Sequence, residues 1–289
     1  ASSSDDAVAD DDEAGFAPGD VVGMMAPEKL DLRQRMALTL RNWCLDEGNM
    51  ALIACEGAIQ ALAALASRED RLTRRFCAAA FYSLSHNPDF RAELVRVGAC
   101  AIIAQVALNT KSPRVALSCA TSLCNLSLES GAEPRLAEEG AVGALCTLLL
   151  TFSERDVWVT SLQGLYNLTC VTESYQGLDR VLKGLLSAYD TPCQELDPSQ
   201  MVGLAIANLS VIHRMRMRIL EEGLVDVMTR HILPFADGAL RYNVAVALHN
   251  VACARACSGE MINRGIMSCI VSLTRPTLKS SSRTSIFNR

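Results

Sequence analysis

The stretch NPDFRAELVRVGACAIIAQVALNTKSPRVALSCATSLCNLSLE, residues 87–129, reads as three helices in a row. Asn87 and Pro88 stand where a cap and a first-turn proline belong, so a short helix begins there. Gly98 ends it, because glycine tolerates the left-handed conformation that stops a helix. ACAIIAQVAL follows as a second, mostly buried helix, NTKS breaks it, and Pro113 opens a longer third. The third helix carries Val115, Leu117, Cys119, Ala120, Leu123, Cys124 and Leu126. One unit of this length cannot bury so large an apolar set, but a stack of such units can.

The rest of the chain supplies the stack. LRNWC, FYSLSH, LCNLSL, LYNLTC, IANLSV and LHNVAC each place a small polar residue before an apolar one. These markers are Asn42, Ser83, Asn125, Asn167, Asn208 and Asn250, separated by 41, 42, 42, 41 and 42 residues. A second ladder, Gly57, Gly98, Gly140, Gly223 and Gly265, stands 15 residues after the markers. Two ladders of one period identify a helical repeat array. In the fourth interval Leu182 occupies the corner register, and the glycines shift to Gly177 and Gly184. A distorted unit is expected over 171–198, with the longest internal loop near 190–198.

Composition excludes other classes. Half of the 289 residues are apolar and a fifth are charged, while Gly and Pro number 17 and 9. Such a chain can build a large core and is not turn-rich. The net charge is −5, yet residues 1–20 hold seven acids and no base, so the body is close to neutral. A nucleic-acid footprint is therefore not expected. No apolar run is long enough to cross a bilayer, so no transmembrane segment is expected. The 12 cysteines form no CxxC and have no histidine at zinc-finger spacing; they read as small buried hydrophobes in a reducing, cytoplasmic compartment. Four scattered histidines and the lack of a phosphate-binding or nucleophile motif argue against an enzyme, a cofactor or a metal. The basic run Arg214–Arg218 reads as a solvated face of a first helix.

Short, short, long, with EGA or EEG corners (56–58, 139–141, 222–223) and NLS or NLT closings (125–127, 167–169, 208–210), resembles the armadillo repeat. The resemblance implies a right-handed all-α solenoid over 13–275, about six units plus a partial seventh. An acidic, flexible segment (1–12) precedes it and a polar, basic tail (276–289) follows. A weak corner register at Glu13–Phe16 and the polar end suggest a piece of a longer array. The resemblance further implies a groove lined by third helices, in which Asn42, Asn125, Asn167, Asn208 and Asn250 hydrogen-bond the backbone of an extended partner segment. An amide suits this because it both donates and accepts. The alternative is that each asparagine satisfies local backbone at a helix end.

Residues 4, 7 and 11 before each marker share its helix face. They include Thr121, Gln163 and Asn243, with Arg35 and Arg114 balanced by Asp31 and Asp156. Apolar pockets are expected near Phe76, Met201 and Leu204. Importin-alpha-type grooves carry tryptophan four residues before the asparagine and beta-catenin-type grooves are basic; this face is neither. The expected function is a non-enzymatic interaction scaffold for another protein, through an extended segment of low or mixed charge held with weak salt dependence. The alternative is a structural part of a cytoskeletal or axonemal assembly.

Overall fold

The computed structural model describes residues 30–49, 52–53, 56–67, 70–171, 175–190 and 197–273. The expected segment 1–12, the Glu13–Phe16 corner and the tail 276–289 lie outside these residues. In chain order the helices are α1 (Leu32–Trp43), α2 (Ala58–Ala66), α3 (Arg71–Ser85), α4 (Pro88–Arg96), α5 (Ala99–Asn109), α6 (Pro113–Leu126), α7 (Glu133–Glu138) and α8 (Ala141–Thr151). They continue with α9 (Arg155–Asn167), α10 (Leu178–Asp190), α11 (Ser199–Val211), α12 (His213–Glu221), α13 (Leu224–Asp226), α14 (Gly238–Ala252), α15 (Arg255–Asn263) and α16 (Ile266–Leu273). A π-helical turn, Val227–Ile232, extends α13. Among the described residues there is no strand. The chain is an all-α solenoid.

The third helices α1, α3, α6, α9, α11 and α14 pack consecutively side by side. Second helices α2, α5, α8 and α10 form a parallel row behind them. Local chemistry starts the third helices cleanly: Asp31, Asp70, Ser112 and Asp237 each accept a backbone N–H at the first turn. Asn87 caps α4 in the same way. The corner glycines 57, 98, 140, 223 and 265 all have φ between 71 and 97°, the region open to glycine without steric cost.

The third helices α3, α6, α9, α11 and α14 each bury the stripe 10, 6 and 3 residues before their marker and one after. In α6 this is Val115, Cys119, Ser122 and Leu126, all buried. Burying a side chain the size of Leu126 contributes about 2 kcal/mol, so the sum over stacked units holds the array together. Neighbours approach closely where glycine allows it: a Cβ at Gly203 would stand 2.6 Å from Leu240 Cδ1.

The fourth unit departs from the pattern in a definite way. Its corner is Gly177, with φ 116°, and Leu182 is a buried residue of α10. Only ten residues separate Asn167 from this corner, which leaves no room for a separate first helix. Tyr175 is buried there, and its hydroxyl donates to Leu168 O at 2.8 Å. It thereby performs the task that Arg91 and Arg216 perform in regular units, where Nε donates to Ser85 O (3.0 Å) and Ser210 O (2.9 Å). All three stand eight residues after their marker and satisfy an orphan carbonyl at the C-terminus of the third helix. The loop expected near 190–198 falls largely on residues 191–196, which lie outside the described residues.

Candidate protein-binding face

The marker asparagines do something that neither sequence reading anticipated. Asn125 Nδ2 donates to Ser85 Oγ (3.1 Å), Asn167 Nδ2 to Ser127 Oγ (3.0 Å), Asn208 Nδ2 to Thr169 Oγ1 (3.2 Å) and Asn250 Nδ2 to Ser210 Oγ (3.0 Å). Each acceptor stands two residues after the preceding marker. Its own proton is already committed: Ser85, Ser127, Thr169 and Ser210 donate to the carbonyls of Tyr82, Cys124, Tyr166 and Ala207 at 2.6–2.8 Å. The hydroxyl can therefore only accept from the next unit, which fixes the amide with its nitrogen inward. NLS and NLT are thus the two halves of a staple that repeats along the wall. At the first joint Cys44 and Ser83 supply neither half.

Stapling leaves some amide groups for other use. Asn125 and Asn250 are half-buried, and their oxygens have no partner among the described residues. Asn208 is half-buried and also approaches Cys170 Sγ at 3.5 Å. Asn167 is different: it is 7% exposed, and its Oδ1 accepts from Gln163 Nε2 at 2.9 Å. Both ends of that amide are spent inside the wall. Asn42 is exposed and accepts from Arg41 Nη1 at 2.9 Å.

The other predicted residues divide similarly. Thr121 and Met201 are half-buried on the same face, although Met201 also packs on the core. Asn243 is half-buried and donates back to Ala239 O at 3.0 Å. Arg114 is exposed at the start of α6, and Arg35 is exposed while donating to Leu30 O at 2.8 Å. Phe76 corrects an expectation. It is 1% exposed and cannot line a pocket, because a large apolar side chain at the margin of the stripe leans into the wall. Ser118 at the same register is also buried; Thr160 is half-buried.

Two rows on this face were not anticipated, one residue before the marker and three after. They hold Tyr82 and His86, stacked edge to face at 4.7 Å, then exposed Leu128, Cys170, Val211 and Cys253. His249 Nε2 lies 3.5 Å from Cys253 Sγ. Burial raises the Tyr166 hydroxyl pKa, with Cys170 adding to the effect. The signal was present in the segments themselves, since Leu128 and Val211 are apolar residues placed past the buried register.

The basic run lies on the first helix α12 as expected, with Arg214 exposed and Arg216 and Arg218 half-buried, and its guanidinium groups are also engaged. Arg214 Nη2 donates to Tyr175 O across the unit boundary at 2.8 Å, and Arg218 bonds Asp179 at 3.1 Å and Glu221 at 2.9 Å. With Arg216 on Ser210 O, all three guanidinium groups serve the stack. Arg135 and Arg264 cross boundaries in the same manner, to Arg96 O (3.0 Å) and Leu220 O (3.2 Å).

Among the described residues no group of three or more metal-ligating side chains exists. Buried thiols are chemically quiet: burial pushes Cys44, Cys77 and Cys119 up to about 12 and Cys124 and Cys146 up to about 11. No single described helix is long and apolar enough to cross a membrane.

No protein-family profile and no curated protein matches this sequence. Solved structures do match. A designed armadillo repeat protein shares 16% identity with a TM-score of 0.57, covering 78% of this chain and 96% of its own. A second designed armadillo repeat protein, in complex with the peptide (KR)4, gives 16% and 0.56 over 78% and 96%. Computationally designed armadillo repeat proteins for modular peptide recognition give 17% and 0.57 over 78% and 94%. The fold is accordingly that of an armadillo-type repeat solenoid.

Proposed function

We propose that this chain is a non-catalytic scaffold that holds an extended segment of another protein across the third-helix face. The observation that carries the reading is the anchored amide. At Asn125, Asn208 and Asn250 a hydroxyl of the preceding unit fixes the nitrogen, so the side chain is oriented before any partner arrives. Such preorganisation reduces the ordering cost of binding, and a repeated amide suits a repeated peptide backbone. One designed neighbour holds a basic peptide; here the face carries Arg35 and Arg114 against Asp31 and Asp156, which favours a segment of low or mixed charge. Leu128, Val211, Met201 and Leu204 add apolar contact. We place the scaffold in the cytoplasm on the strength of its free buried thiols.

Peptides selected by phage display on the whole chain test this. Replacing Asn125, Asn208 and Asn250 together by alanine should weaken a selected peptide at least tenfold, while raising salt from low to moderate changes affinity little. Undiminished binding by a folded triple variant, or a steep salt dependence, refutes the reading.

A further inference from the structure

The fourth unit closes its own marker. Asn167 is 7% exposed, whereas Asn125, Asn208 and Asn250 are half-buried. Its Nδ2 donates to Ser127 Oγ at 3.0 Å, as the staple requires, and lies 3.7 Å from Cys124 Sγ. Its Oδ1 is the atom that would accept from a partner's backbone N–H, and Gln163 Nε2 already donates to it at 2.9 Å. Among the described marker amides, only Asn167 spends both its nitrogen and its oxygen on other side chains.

Register explains why this happens once. Gln163 stands four residues before its marker, one turn back on the same face of α9. At that register the other units place Leu38, Ala79, Thr121, Leu204 and Val246, and none of these side chains carries an N–H to give. A glutamine carboxamide is chemically a peptide group, with the same N–H donor. It meets the Asn167 oxygen as a partner's backbone would, and being tethered one turn away it needs no ordering of a second molecule. A partner that displaced it would exchange one hydrogen bond for another of the same kind and gain nothing net.

We infer that Gln163 is a specificity-determining residue that silences the fourth unit. On the groove reading proposed above, on which this rests, a segment lying across the face is held through its backbone at α6, α11 and α14 but not where it crosses α9. It can carry a residue without a backbone N–H there, proline above all, at no loss of affinity. The same residue facing Asn125, Asn208 or Asn250 removes a bond.

A backbone N-methylation scan tests this. Peptides of about twelve residues are selected on the whole chain, long enough at about 3.3 Å per residue to run from α6 to α14. One that is weakened by Asn125→Ala and by Asn208→Ala must cross α9. Gln163→Thr copies Thr121 and Gln163→Leu copies Leu204, and each releases the Asn167 oxygen; Gln163 is half-buried outside the core stripe, so both variants should fold. Each should tighten the peptide about two- to tenfold, the worth of one net hydrogen bond. Each should also make costly one N-methylation that the unaltered chain ignores, and Asn167→Ala added to either variant should erase both effects. Unchanged affinity and an unchanged scan in both variants overturn the proposal, as does a shift of the Asn167 side-chain amide when peptide binds the unaltered chain. If no selected peptide depends on both asparagines, or none responds to N-methylation at any residue, the groove reading itself falls and the silencing with it.

Discussion

Removing one half of a staple should cost much more than removing a local hydroxyl of the same size. Ser127 Oγ donates to Cys124 O at 2.6 Å and accepts from Asn167 at 3.0 Å, with Asn167 buried. Ser127→Ala leaves an amide proton without a partner and loosens the contact between α6 and α9, for an expected loss of about 1–3 kcal/mol. Asn167→Ala forfeits the same bond and the one from Gln163, and should cost a similar amount. Because the two changes break one bond, the double variant should be less destabilised than the sum by about 1 kcal/mol, a coupling of the size seen for groups in contact. Ser122 is the control. It is buried in the same helix, yet its hydroxyl only donates to Ser118 O at 2.7 Å, so Ser122→Ala should change stability by less than about 0.5 kcal/mol. Urea unfolding followed by circular dichroism gives all four values. Additive losses, or a Ser122 effect equal to that of Ser127, refute the staple.

Two further outcomes follow from backbone and burial. Gly140→Ala should destabilise by about 1 kcal/mol because its φ of 97° is strained for alanine. Gly143→Ala, three residues on in α8 with open space around its Cβ, should stabilise by up to about 1 kcal/mol; thermal melts of the two variants should move in opposite directions. Stability should also fall in alkali. Cys44, Cys77 and Cys119 are held neutral up to about 12 in the fold but ionise near 9.0 in the unfolded chain. Their contribution is therefore complete below pH 9 and lost as pH rises toward 12, at about 1.4 kcal/mol per thiol by pH 10. A urea midpoint flat from pH 7 to 11 contradicts this.

Helices, corners and period were legible because each rests on local chemistry repeated five or six times. Gly98 and Pro113 can be read without neighbours. The fourth unit was legible as irregular, but the repair was not, since Tyr175 replaces an arginine cap by a different chemistry. The staple spans two units and could be found only by noticing that a hydroxyl always stands two residues past a marker whose successor is asparagine. Phe76 misled because seven residues fall about 20° short of two helical turns, and at the edge of a stripe that angle decides between solvent and core for a bulky ring. The bonds made by the arginines of 214–218 were not legible, because charge alone does not reveal that Arg214 meets the carbonyl of Tyr175, 39 residues away.

In the proposed function, oriented asparagine amides along the third helices receive a partner's backbone. The direct test is to follow side-chain amide resonances of the whole chain by nitrogen-edited NMR while a selected peptide is added. Asn125, Asn208 and Asn250 should shift together and saturate at one stoichiometry, while Asn167, spent inside the wall, stays still. Saturable binding that leaves those three resonances unmoved would place the partner elsewhere and contradict the claim.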